Sequence, residues 1–375
     1  MAGWLKDLGF EVSGGIATTG VAGVLRNGDG PTVLLRADMD ALPVQEATGL
    51  GYTSQVHGLM HACGHDMHVT CLLGAASVLA ASRADWSGSV IAVFQPAEET
   101  AAGAKAMVAD GLFERVPLPD IVLGQHVAPL PAGMIGLRPG PSFAAADAMR
   151  IKLFGTGGHG SRPETTVDPV VMAAATVMRL QGIVSREVPA TDMAVVTIGS
   201  VQAGTKANII PDDAELLLSI RSYDPAVRAT VLKAIERIVR SEAQTSGATE
   251  EPLIELTESA PAVINDVAAT RRTRGALADV VGAERVVDPG PITGSEDVGV
   301  LASAARAPIV FWLLGGADPA VFAGASGLED IASITAGLPS NHSPLYAPAE
   351  DPTISIGTNA LSAAAREWLD GSTRS

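Results

Sequence analysis

Two histidines, a cysteine and an aspartate fall within six positions, HACGHD at residues 61–66, in a chain that has only 7 His and 2 Cys. Gly64, and an Asp66 placed to cap the apolar run that follows, predict an extended or looped segment and then a helix that starts after His65. On extended backbone Cys63 and His65 point the same way, so a thiolate and an imidazole can both ligate zinc or a similar divalent ion. The pair also suits a cysteine nucleophile with a histidine base, and a structural turn would account for it too. Two donors alone leave all three open.

The run VIAVFQPAEE, residues 90–99, reads as a buried strand that stops at Pro96. It delivers Glu98 and Glu99 just past its carboxyl end, where α/β sheets bind ligands. Neighbours on extended backbone project to opposite sides, so one carboxylate can hold a metal while the other faces water as a general base. Two solvated glutamates are the plain alternative. DIVLGQHV, residues 120–127, brings a second apolar run to His126, and His342 lies far downstream in SNHSP. A lone histidine is more often structural than a ligand. The joint pattern is more telling: Cys63, His65, Glu98, Glu99 and His126 are all expected at strand ends on one rim of one sheet. With His342 they supply enough N, S and O donors for two metal ions.

The elements that must hold these residues alternate between short β-branched runs and one helical segment from about residue 20 to 137, an α/β layout with parallel strands. In the helix, Val69, Leu72, Leu73, Ala76, Leu79 and Ala80 recur at steps of three and four. From about 147 to 258 the order becomes βαββαβ, the pattern of a ferredoxin-like domain. After it the α/β pattern resumes and ends in a helix near 353–369. The expected organisation is an α/β catalytic domain at 1–146 and 259–375, interrupted by a smaller domain at 147–258.

At 375 residues, with 47% hydrophobic and 18% charged, the chain is long and apolar enough for two cores. A net charge of -16, with no long Lys/Arg cluster to offset it, argues against nucleic acid as a partner. No apolar stretch approaches the length of a membrane span, and MAGWLKDLGF lacks the pattern of a signal peptide, so the cytoplasm is the expected location.

RADMDALP, HACGHDMH, FQPAEE, GQHV, GTGGHGSRP, ANIIPD, IRS, GSED and NHSP, in that order, resemble the metal-dependent amidohydrolase branch of the aminoacylase and carboxypeptidase superfamily. That branch holds hippurate, indole-acetyl-amino-acid and N-acyl-amino-acid hydrolases. The resemblance implies a mixed-sheet metallopeptidase catalytic domain with an inserted lid and dimerisation domain. It implies two divalent ions per chain, Zn, Mn or Co, held by Cys63, His65, Glu99, His126 and His342, with Cys63 bridging and Glu98 as catalytic base. Asp38 stands where the wider superfamily has a ligand histidine, and Asp40 would orient a metal-bound histidine. His159 would polarise the substrate carbonyl, reaching a neighbouring subunit's site, while Asn208 and Arg221 would hold the substrate carboxylate. The implied reaction is hydrolysis of N-acyl amino acids by a homodimer or larger homo-oligomer. Its rivals are dipeptidase or carboxypeptidase action, a cysteine hydrolase using Cys63, and a silent carboxylate-binding homologue. Relatives also begin with a further helix ahead of the segment matching LKDLGFEV, so weaker cover of the first sheet is expected.

Overall fold

The computed structural model describes residues 1–369 and divides into two compact units. One comprises Met1–Ser142, Ile264–Pro291 and the chain from Asp297 onward; the other comprises Phe143–Val263 and Ile292–Glu296.

The first unit is built on a mixed eight-stranded sheet. Thr32–Asp38 lies at its centre, parallel to Gly88–Gln95 on one side and Ile121–Pro131 on the other, and Ile309–Ala317 runs parallel to the latter. Glu11–Ile16 and Gly20–Asn27 extend one edge in antiparallel fashion. Every residue of Gly88–Gln95 is buried, which is why this strand reads as an unbroken apolar run rather than an alternation. Helices His65–Ala81, Val267–Val281 and Glu350–Leu369 cover the sheet, the last packed against the other two. A short helix, Ala2–Asp7, buries Leu5 completely in the same core.

The first of these helices departs from expectation at its start. Its N-cap is Gly64, at φ 80°, and Asp66 lies inside the first turn with its carboxylate accepting from the Met67 amide. Because the helix is already running at His65, residues 65, 68, 72, 75 and 79 form one stripe, all buried. The core face of the helix therefore carries His65 and His68 directly. Gly64 is required on two counts: its φ is left-handed, and an added Cβ would sit 2.4 Å from Val127 Cγ1.

The second unit has the expected βαββαβ order, with sheet neighbours Ala194–Ala203, Asp213–Ser222, Ala145–Phe154 and Leu253–Ala260, all antiparallel. Its helices, Pro169–Arg186 and Pro225–Thr245, are each opened by an aspartate cap, Asp168 and Asp224, followed by Pro at the first helical position. Met149, Ile151, Leu153, Leu180, Ile183, Val231 and Ile235 form part of its own core. On the edge strand Ala194–Ala203, Val195 and Val201 are exposed, as are Val171 and Met178 on the first helix. No helix among the described residues is long and apolar enough to cross a membrane.

Candidate metal centre

His65 is fully buried, and its two ring nitrogens do different things. Nδ1 donates to Asp40, whose backbone oxygen and Oδ1 each lie 3.1 Å away. Nε2 is therefore the nitrogen left for a ligand once its proton is released, and it has no hydrogen-bond partner. The other oxygen of Asp40 accepts from the Glu99 amide at 3.0 Å. One carboxylate thus orients an imidazole and fixes the backbone that carries a second donor.

Glu98 and Glu99 do not lie on extended backbone. Ala97 adopts φ 53°, and a turn closes from the Ala101 amide to the Glu98 carbonyl at 2.7 Å. The two carboxylates consequently converge instead of diverging: Glu98 Oε2 is 3.9 Å and Glu99 Oε1 is 3.8 Å from His65 Nε2. Cys63 likewise sits in a turn, closed from the Gly64 amide to the His61 carbonyl at 3.0 Å, and not in an extended segment. His126 lies within Ile121–Pro131, five residues short of its end, so the rim is made of turns and a helix start as much as of strand ends. His126 Nδ1 donates to the Val127 carbonyl at 2.8 Å, which leaves Nε2 facing Cys63 Sγ at 3.5 Å. His342, at φ 71°, brings Nε2 to 3.2 Å from Glu99 Oε2. All five expected ligands are therefore drawn into one cluster.

The electrostatics favour an ionised thiol. Burial opposes ionisation of Cys63, but the charge and hydrogen bond of His126, first among its neighbours, bring its pKa down to about 3. His126 is lowered by burial and more than restored by the Cys63 charge and hydrogen bond, reaching about 9. His65 is also opposed by burial, yet the Asp38 charge and the Asp40 hydrogen bond hold it well above the ordinary imidazole range. Burial, then the Cys63 charge, push Glu99 up to about 7.

Asp38 and His68 approach the same cluster, but other contacts claim them. Arg36 is buried between Asp38 (2.9 Å) and Asp297 (3.0 Å) and also donates to Gln95 at 2.9 Å. Asp38 Oδ1 meets His68 Nδ1, and His68 Nε2 accepts the Val127 amide at 2.8 Å. Both nitrogens of His68 are occupied, and burial keeps the ring neutral with a pKa of about 4. Sequence reasoning passed over His68 as a site residue, although its i+3 spacing from His65 on an apolar stripe pointed to it. It also passed over Asn341, whose Nδ2 reaches the Cys63 carbonyl at 3.3 Å.

The residues present fit a cation. Cys63, His65 and Glu99 each offer a ligand atom, all within 4.8 Å of one another. Two of these atoms, His65 Nε2 and Glu99 Oε1, are buried polar atoms that lack any hydrogen bond. Such groups are costly unless a ligand satisfies them, and a soft thiolate with imidazole and carboxylate suits zinc and its neighbours.

In the second unit, His159 pairs with Ile209 in a two-residue ladder, and the Gly160 amide bonds the Asn208 carbonyl at 2.9 Å, so His159 and Asn208 are held side by side. His159 Nδ1 accepts the Ser161 amide at 3.1 Å, which puts the ring proton on Nε2. Arg221 is not brought to this pair. It stands opposite Val195 and Ala146 near the end of Asp213–Ser222, eight residues beyond Asp213. That is about 26 Å along the strand.

A family model described as Peptidase family M20/M25/M40 matches residues 34–331. Thermostable carboxypeptidase 2 of Saccharolobus solfataricus is 39% identical over 316 residues, covering 83% of this chain and 78% of that protein. Hippurate hydrolase of Campylobacter jejuni is 41% identical over 298 residues, covering 79% and 76%. Among solved structures, the YXEP protein of Bacillus subtilis, a dinuclear metal binding peptidase from the M20 family, aligns with a TM-score of 0.76 at 29% identity over 98% of this chain and 90% of that one. A match over most of the chain, in sequence and in fold, shows that the protein belongs to peptidase family M20/M25/M40.

Proposed function

We propose that the protein is a metal-dependent amidohydrolase that cleaves the amide bond of N-acyl amino acids, releasing a carboxylic acid and a free amino acid. The observation that carries this reading is the convergence of Cys63, His65 and Glu99 on two orphaned buried ligand atoms, with the Glu98 carboxylate beside them. Hippurate hydrolase, among the relatives, is named for an acylated amino acid.

Two divalent ions per chain, held by Cys63, His65, Glu99, His126 and His342, would acidify water and polarise the amide carbonyl. Glu98, only 9% exposed, would take a proton from the attacking water and pass it to the leaving nitrogen. Asp40 keeps His65 in the tautomer that leaves Nε2 available. The Nε2 proton of His159 suits it to donate to the substrate carbonyl oxygen as negative charge grows there. Asn208 and Arg221 would bind the free carboxylate, the guanidinium in bidentate fashion. Because about 26 Å of strand separates these two in one chain, their shared task requires two subunits, and the exposed Val195 and Val201 on an open strand edge suit pairing with a second copy. Two free cysteines, one of them needed as a thiolate, support a reducing compartment such as the cytoplasm.

The test is metal content of wild type and Cys63→Ala, with activity on N-acetyl amino acids, N-benzoyl amino acids and unblocked dipeptides measured on the same samples. About two ions per wild-type chain, metal and activity falling together in the variant, and preference for the acylated substrates are expected. Full activity after chelation, with inhibition by a thiol reagent, would instead make Cys63 a nucleophile.

A further inference from the structure

Past the pair Arg36–Gly124, the strand Ile121–Pro131 loses Thr32–Asp38 as its neighbour, because the latter ends at Asp38 beside Gln95. A buried amide beyond that point needs another partner. For Val127 that partner is a side chain: its N–H donates to His68 Nε2 at 2.8 Å. Its carbonyl accepts from His126 Nδ1 at 2.8 Å and from the Tyr346 hydroxyl at 3.4 Å. The hydrogen bond that aims His126 therefore ends on a residue whose other end is held by His68. The two rings also touch, edge to face, with centroids 4.5 Å apart. The far side of His68 is anchored on Asp38, which Arg36 fixes in turn.

We propose that His68 is a positioning residue: clamped between Asp38 and the Val127 amide, it sets the direction of His126 Nε2 toward the metal centre without being a ligand. The proposal rests on the dinuclear reading above. An acceptor on Nε2 fixes the neutral tautomer with its proton on Nδ1, which donates to Asp38 Oδ1, so neither nitrogen is left to coordinate. The strut takes up the part of the rim where a third strand would otherwise have continued the ladder.

The experiment compares wild type, His68→Gln and His68→Asn, each loaded with cobalt(II). Gln places a carbonyl near the Nε2 position and can accept the Val127 amide, whereas Asn has a donor at the Nδ1 position and does not reach Val127. Affinity is read by competition with a chelator, and ligand geometry by the thiolate-to-cobalt and ligand-field absorption bands. The expected result is a loss of about 10- to 100-fold in affinity with altered bands for Asn, and near wild-type behaviour for Gln. His68→Phe, which keeps the ring volume, is the second loss-of-contact variant and should behave like Asn wherever the Asn protein does not fold. Asn and Gln proteins that bind cobalt alike, differing from wild type only in melting temperature, would reduce His68 to a structural role. A wild type that takes up no cobalt would instead overturn the metal centre, and the proposal with it.

Discussion

At the scale of single residues, the question is which groups move protons and which hold charge. Glu98 and Glu99 stand at nearly equal distances from His65 Nε2, 3.9 and 3.8 Å, yet Glu99 is also tied to His342 and its amide to Asp40. In the proposed reading Glu99 is a ligand and Glu98 the base. Glu98→Gln should lower kcat by about 10²- to 10⁴-fold while metal content stays at the wild-type level; loss of metal in that variant would reverse the two assignments. A second prediction follows from the pKa values. In the metal-free protein at pH 8, Cys63 is already a thiolate, whereas His126, at about 9, and His65, raised further, still carry protons. Metal binding demands neutral imidazoles, so loading should release protons, those of His65 and His126 among them, and affinity should weaken as the pH falls. As the pH rises through about 9, His126 gives up its proton unaided, so release falls and the gain in affinity flattens. Calorimetric titration in buffers of different ionisation heat counts these protons directly. Release of none would contradict the assigned protonation states.

Among elements, the site depends on turns more than on strands. Cys63, His65, Glu98, Glu99 and His126 stood out in the sequence because rare or paired polar residues fall beside apolar runs, whereas His342 and the choice of Glu99 over Glu98 as ligand rested on the family resemblance; the βαββαβ order was legible because helix and strand periods alternate cleanly there. The way the donors converge was not legible. A period-2 reading sends Glu98 and Glu99 to opposite sides, and only the positive φ of Ala97 turns both toward His65. The contacts of His68 were hidden for a similar reason, since they join segments 59 residues apart in the chain. The turn also depends on Gly103, where an added Cβ would lie 1.6 Å from the Pro96 carbonyl oxygen. Gly103→Ala must displace the backbone that carries both glutamates, at a cost of about 1–3 kcal/mol. The expected outcome is a folded protein with lowered melting temperature and weakened metal affinity. Chelator competition and thermal melts on one preparation would show both; wild-type affinity at a lowered melting temperature would uncouple the turn from the centre.

For the molecule as a whole, the open question is how many chains make one active site. The second unit holds His159 beside Asn208 at one end of its sheet and Arg221 near the other, so one copy cannot present all three to one small substrate. If His159 serves the neighbouring subunit, inactive variants should complement each other. In a mixed dimer of Glu98→Gln and His159→Ala chains, one site carries both defects and the other carries neither. Random exchange makes about half of all dimers mixed, so about a quarter of sites should regain full function. The two proteins, each almost inactive alone, are unfolded together, refolded with metal and assayed beside the separately refolded controls. Recovery near a quarter, together with a dimer in sedimentation, supports a site shared across the interface. No recovery from a mixture that sediments as dimers would place His159 in the site of its own chain, and Arg221 would then have to be withdrawn from the carboxylate.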